Sequence, residues 1–574
     1  MNTARFGWTL AAALWLAACG GGVAGAEDGR RSGAERAERP RAFEDDLDLD
    51  LPRERSAPPQ LDAEGPPAPL PLTAPAALVA APAAVAAPAP APAAGARREG
   101  PRLAARVEAL IGAAARQAHT ASKGKVHAAN TTVAVHLVEL DGAALYARSE
   151  HTPLVPASNL KVLTVASALA LHGPQGAFRT TFEAHGKVLD GRLAGDLVVR
   201  AGGDPLYAVP GEDAGVFGCE PWLERLSAAL EARGLRAVDG RLVLDDSGWE
   251  SPGIPPEWPA ASAHWQAYCA RSGGFTANGG CLTASVTPTR AGRPAEVVLV
   301  PRDFGLDARV GVNTGPRRSG NDVRVGATDS TATVRGALAE GEATFHADFA
   351  HPSPVDLFGC AVVGGLNRRG TTITRGYERA VCAATGPVVA TLTTPFESAL
   401  VPILRDSNNP VADQLFFASA HQLRGAGTRA AGASAVAEGL RRLGVDPTGY
   451  TAVDGSGLSK ADRCTAAQLT GALAALARGP AEAFAPFHAA LPSAGVPGKL
   501  SGRMRGTRAA GRVRAKTGFV NGASALCGYI DCADGRRYAF AILVNYPQVA
   551  GLNNTAWKPL QDDLCALFAE EVGA

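Results

Sequence analysis

Lysine is scarce in this chain. Only eight of its 56 basic residues are lysine and the other 48 are arginine. Arginine does not release its proton inside a protein, whereas a lysine ammonium can be tuned to a neutral amine. Wherever lysine is kept, a titratable amine is worth looking for. Metal-binding spacings are also missing. The sequence holds no C-x-x-C pair and no H-E-x-x-H element, which removes the common zinc frameworks. Net charge is only +1 and no basic run marks a nucleic-acid footprint, so no nucleic-acid partner is expected. Long apolar runs are absent as well. The stretch Trp8–Ala18 follows Arg5, suits an export signal and is too short to read as a membrane span.

That apolar run ends in Leu16-Ala17-Ala18-Cys19, followed by three glycines. This resembles the lipobox of bacterial lipoproteins, in which the cysteine is acylated and becomes the mature N-terminus. The alternative is an ordinary cleaved signal with a stray cysteine. Export implies an oxidising compartment. Nine cysteines remain after Cys19, so an odd one must be free or pair outside the chain. Cys269 and Cys281, close together and flanked by glycine and serine, form the best disulfide candidate.

Residues 20–100 read as a tether. Glu44–Leu51 alternates acid and leucine, and Ala57–Ala94 is dominated by proline and alanine without one aromatic residue. Such a stretch cannot bury enough apolar surface to offset chain entropy. Forty Pro-rich residues could span roughly 100 Å. Folded periodicity begins near Pro101, where Leu103, Val107, Leu110 and Ile111 share a helical face. Strands are expected at Thr131–Glu139 and Ala144–Arg148, joined by Asp141-Gly142, and again at Val513–Phe519, Ala525–Ile530 and Tyr538–Tyr546. Leu160–Leu171 is apolar almost all round, as a buried helix is, and Trp557–Glu571 closes the chain as another helix. These elements predict an α/β (α+β) fold, one antiparallel sheet flanked by helices, built discontinuously from 101–185 and 388–574. Residues 186–387, rich in glycine, turns and short strands, read as a β-rich insertion of one or two modules.

Three short words carry chemistry. Ser158 and Lys161, three apart at the start of the buried helix, share one helical face, and the helix N-terminus favours a developing oxyanion. Lysine can take a serine proton only when neutral. Burial and a second cation, for which Lys516 is the candidate, both favour that state. Ser407-Asn408-Asn409-Pro410 places Ser407 and Asn409 on a loop before a helix, since Pro410 suits the first helical position. Taken alone it is a helix cap. Lys516-Thr517-Gly518 taken alone is a strand ending in a turn.

Together, S-x-x-K, S-x-N and K-T-G in that order are the motif set of penicillin-binding proteins and class A β-lactamases. The gaps between them are 249 and 109 residues. The first is too long for a compact β-lactamase. The chain resembles instead the low-molecular-mass class C penicillin-binding proteins, the D-Ala-D-Ala carboxypeptidase/endopeptidase family, which carries a large insertion between its first two motifs. The resemblance spans roughly residues 101–574. It includes Gly195-Asp196-Leu197-Val198, Gly203-Asp204-Pro205, Asp454-Gly455-Ser456-Gly457-Leu458-Ser459, Leu491–Val496 and Val513–Gly518. It implies a β-lactamase/transpeptidase-like fold with peptidoglycan peptides as substrate, β-lactams as inhibitors, and no cofactor or metal. Ser158 would be the nucleophile and Lys161 its base. Ser407 would relay a proton to the leaving amine beside Lys516. Asn409 would hold the substrate amide and orient Lys161. Thr517, Gly518 and Phe519 would bind substrate with Lys516, and the N–H groups of Ser158 and Phe519 would form the oxyanion hole. A periplasmic enzyme tethered through a lipidated Cys19 follows.

Two departures stand out. Asp406 puts a negative charge beside Ser407, which would raise the Lys161 pKa. Phe519 is bulky where a small or hydroxyl residue is usual. Asp454-Gly455-Ser456-Gly457 lacks the second glycine of a G-x-S-x-G elbow and reads as a turn near the site. Rival readings are a catalytically weak peptidoglycan-binding scaffold and a β-lactamase or esterase using the same residues.

Overall fold

A computed structural model describes residues 101–207 and 218–573; Cys19, the export signal and the tether lie outside the described residues. The five expected strands form one antiparallel sheet. Its order runs Val513–Val520, Ala523–Asp531, Arg537–Asn545, Thr132–Glu139, Ala144–Arg148. Val133 lies opposite Val544 and Leu137 opposite Phe540. Successive side chains point to opposite faces, and helices cover both faces, so the central strand Arg537–Asn545 is buried along nearly its whole length.

One face carries Val135, Leu526, Phe540 and Ile542. It packs with Leu103, Val107 and Ile111 of the helix Pro101–Ala121 and with Leu564 and Phe568 of the helix Lys558–Glu571. The other face, including Ala134, Tyr529 and Leu543, packs on the helices Leu160–His172 and Ala466–Arg478. Leu160, Val162 and Leu163 are fully buried, each stabilising by about 1.5–3 kcal/mol. This burial anchors the turn that precedes them, and that turn carries Ser158.

Between the helices Leu160–His172 and Asn409–Arg424 lies the insertion. Its main sheet has seven strands, including the antiparallel neighbours Ala177–Leu189, Arg192–Arg200 and Val388–Pro395. Two three-stranded sheets and the helices Cys219–Ala232 and Pro354–Arg368 complete it. The expected break at 186 therefore falls inside a strand, and the insertion is not only β. Gly186 lies within the strand Ala177–Leu189. It faces Gly195 across the ladder, where a Cβ would meet the Ala194 carbonyl oxygen at 2.4 Å. The glycine marks a close approach of two backbones, not a strand end.

The expected Cys269–Cys281 disulfide is not formed. Both thiols are free and buried. Cys281 Sγ lies 3.8 Å from the carbonyl oxygens of Ala267 and Gly279, which gives it weak backbone partners in place of a second sulfur. All nine cysteines among the described residues are free.

Candidate active site

Ser158 sits in a single 3-10 turn, Ala157–Asn159, that runs directly into the helix Leu160–His172. Its neighbour Ala157 has φ 46, a left-handed conformation that costs about 1–2 kcal/mol in a non-glycine residue. The surroundings hold it there. Gly457 packs so closely that a Cβ on it would lie 1.9 Å from the Ala157 carbonyl oxygen. Asn159 locks the same turn to the sheet. With its amide oriented to suit its neighbours, it donates to the Lys516 carbonyl at 2.8 Å and accepts from the N–H groups of Leu526 and Cys527.

Lys161, fully buried, makes three contacts. Its Nζ lies 3.0 Å from Ser158 Oγ, 2.6 Å from Asn409 Oδ1 and 2.7 Å from the Ser456 carbonyl oxygen. Two of these partners are amide oxygens, which only accept. A neutral amine has two N–H donors and one lone pair. It would spend both donors on Asn409 and Ser456, leaving the lone pair for the Ser158 hydroxyl proton. Burial lowers the Lys161 pKa from its ordinary 10.5 to about 8, against the opposing pull of the Asp413 and Asp454 carboxylates.

The second serine is reached through a π-helical turn, Val401–Arg405, a local irregularity common at functional sites. Ser407 has φ 61. The helix cap is its neighbour Asn408, which accepts from the Val411 N–H at 3.0 Å. Asn409 is thus the first residue of the helix Asn409–Arg424 and Pro410 the second, one position off the expected loop placement. Asn409 donates from its amide to the Tyr268 carbonyl at 3.0 Å, so the insertion reaches into the site.

Lys516, 1% exposed, donates to Ser407 Oγ and to the Thr517 carbonyl, both at 2.8 Å. Burial, then repulsion from Lys161, holds its pKa well below the ordinary lysine range. The repulsion between the two lysines is mutual and disfavours charging both at once, while the acidic groups around Lys161 support its charge. Asp406 does not act on Lys161 as expected. It pairs with Arg405 at 3.1 Å and bears weakly on Lys516 instead.

The strand Val513–Val520 forms the sheet edge. The turn after Leu491 covers part of that edge: the Ala494 N–H reaches the Val513 carbonyl, and the Ala515 N–H reaches the Pro492 carbonyl. Edge groups alternate along a strand, so Thr517 and Phe519 present the next outward groups. Both are half-buried. Gly518 lies between them on the same strand. It is buried against the Ser158 turn, where a Cβ would lie 2.9 Å from the Pro156 carbonyl oxygen.

Ser158, Lys161, Ser407, Asn409 and Lys516 therefore meet in one cleft, although they are scattered over some 360 residues of chain. The reading of motifs missed the Ser456 carbonyl, the Tyr268 carbonyl and the three buried aspartates. The Asp454–Ser459 turn was a visible signal for the first; backbone groups such as Tyr268 leave none.

Comparison with known proteins agrees with this geometry. Residues 113–565 match the model of the D-Ala-D-Ala carboxypeptidase 3 (S13) family. The chain belongs to this family. It is a serine peptidase of the low-molecular-mass class C penicillin-binding type. The D-alanyl-D-alanine carboxypeptidase of Actinomadura sp. (strain R39) is 32% identical over 449 residues, 75% of this chain and 80% of that protein. The crystal structure of penicillin-binding protein 4 from Haemophilus influenzae shares the fold, with TM-score 0.60 and 22% identity over 79% of this chain and 98% of that one. The same protein complexed with a β-lactam aligns with TM-score 0.57 and 21% identity, over 79% and 99% of the two chains. Among the described residues no group of His, Cys, Asp or Glu could hold a metal ion, and no helix is long and apolar enough to cross a membrane.

Proposed function

We propose that this S13 peptidase cleaves the D-Ala-D-Ala bond at the ends of peptidoglycan peptides, the bond after D-Ala in their cross-bridges, or both, with Ser158 as nucleophile. The observation that carries the assignment is the set of three contacts around the Lys161 amine, of which Ser158 alone has a proton to give. Ser158 Oγ attacks the carbonyl of the penultimate D-Ala and Lys161 takes its proton. The oxyanion is met by the N–H groups of Ser158 and Phe519, fixed dipoles that need no reorganisation as its charge develops. Ser407, hydrogen-bonded to Lys516, gives its hydroxyl proton to the leaving amine and is resupplied with the proton that Lys161 took from Ser158, which leaves Lys161 neutral again. Lys516 and Thr517 receive the terminal carboxylate; an arriving anion favours the charged form of Lys516 and so draws a proton onto it. Water then releases the acyl group.

A β-lactam presents the same carbonyl and carboxylate, and the β-lactam complex of the structural relative supports its fit to this cleft. Digestion of purified muropeptides with mass readout tests the assignment. Wild type should release D-Ala from pentapeptide monomers, split cross-linked dimers, or both, and Ser158→Ala should do neither. Substrate turnover by Ser158→Ala at the wild-type rate would remove the nucleophile from the scheme. For localisation we propose an exported protein held through a lipidated Cys19. Cys19→Ala should move it from the membrane to the soluble fraction, and an unchanged membrane fraction would count against the anchor.

A further inference from the structure

Behind Lys161 stand three carboxyl groups that the chemistry above does not use. Asp413 lies in the first turns of the helix Asn409–Arg424, while Asp454 and Asp462 lie on the loop that carries Ser456. Their exposures are 3%, 1% and 0%. Ionised carboxylates that are buried need partners, and several so close together cannot all be charged without a large cost.

Their hydrogen bonds decide where a proton sits. Asp454 is saturated with donors. Its Oδ1 accepts from the N–H groups of Ser456 and Gly457 at 2.9 and 2.6 Å and from Ser456 Oγ at 3.2 Å. Its Oδ2 accepts from the Ser459 N–H at 2.9 Å and from Trp258 Nε1 at 2.8 Å. Asp462 is the opposite case. Its Oδ1 accepts one N–H, from Val453 at 2.8 Å. Its Oδ2 is buried and has no partner of its own among the described residues. An ionised carboxylate oxygen buried without a donor is costly, whereas a carboxylic acid carries no charge to satisfy. A proton held by this cluster therefore belongs on Asp462 before the well-supplied Asp454.

We infer that Asp462 is a neutral carboxylic acid, and that its neutrality limits the negative charge facing Lys161. Asp462 is then a positioning residue for the base. This rests on the reading of Lys161 as the base. A further full charge in the cluster would hold Lys161 as an ammonium and suppress proton transfer from Ser158. Burial, then repulsion from Asp454, with Asp413 adding to it, pushes the Asp462 carboxyl well above the ordinary carboxylate range, in agreement with the geometry. The remaining titratable groups facing it are Tyr450 and Cys464, both kept in their neutral forms by burial.

Asp462→Asn tests this directly, because the amide keeps the oxygen for Val453 and replaces the acid proton with an N–H donor. Full-length wild type and D462N are compared in two ways. Second-order acylation by a fluorescent penicillin is followed from pH 5.5 to 9.5, and difference infrared spectra are recorded in the protonated-carboxyl C=O region. D462N should fold, keep its acid-limb midpoint within about half a pH unit of wild type, and lose one protonated-carboxyl band. A downward shift of the midpoint by about one unit or more is what loss of a charged neighbour produces. That shift, an unchanged infrared spectrum, or failure of D462N to fold would each overturn the inference. Ser158→Ala run alongside separates the two readings: if it still acylates, the base assignment fails, while the infrared result still judges Asp462.

Discussion

The buried state of Lys161 makes a quantitative demand on the pH dependence of acylation. A lysine acts as base only when neutral. With a pKa of about 8, about one molecule in ten has a neutral amine at pH 7. A solvent-exposed lysine at its ordinary value would be neutral in only about three of ten thousand. Burial therefore raises the competent population about 300-fold. The sign follows: acylation rises with pH, by about tenfold per unit below the midpoint, and levels off above about pH 8. The assay is stopped-flow measurement of the second-order rate with a fluorescent penicillin, whose own ionisation does not change between pH 6 and 9. A rate that is flat from pH 6 to 8, or that falls over that range, would refute the claim that a neutral Lys161 is the base.

Three more outcomes are expected. Lys161→Arg keeps the charge but cannot give up its proton, so acylation should fall by about 10²–10⁴-fold and lose its acid limb; near-wild-type labelling would contradict the scheme. Gly457→Ala must place a Cβ at φ 76 and 1.9 Å from the Ala157 carbonyl oxygen. It should lower stability by at least about 2 kcal/mol and slow acylation, read by denaturant unfolding and penicillin labelling. Alkylation of the denatured, unreduced protein followed by mass measurement should count nine free thiols besides Cys19, and reductant should leave the melting temperature unchanged.

The sheet of the catalytic part was legible because its strands alternate cleanly and its turns carry Asp-Gly. The buried helix was legible because Leu160–Leu171 is apolar on all sides. Motif order located Ser158, Lys161, Ser407, Asn409 and Lys516, since each side chain acts through its own chemical type. The rest was hidden for particular reasons. The glycine-rich texture that suggested a boundary at 186 does not show that a strand, Ala177–Leu189, runs through it with Gly186 in close backbone contact. Spacing alone suggested a Cys269–Cys281 bond, but direction decides whether thiols meet, and the Cys281 thiol faces carbonyl oxygens. The charge environment of Lys161 comes from Asp413, Asp454 and Asp462, which are remote from it in sequence. Asp406, although next to Ser407, lies by the other lysine.

The first strand of the sheet, Thr132–Glu139, finds its partner Arg537–Asn545 roughly 400 residues downstream. The strand bearing Lys516 joins the sheet from the same late stretch. Ser158 and Lys161 are thus synthesised early, but the wall that completes their cleft arrives among the last tenth of the polypeptide. Contacts so remote in sequence form late and slowly. A partly made chain carries its nucleophile without the groups that serve it, so peptide hydrolysis is deferred until those late strands have been added and the sheet has closed.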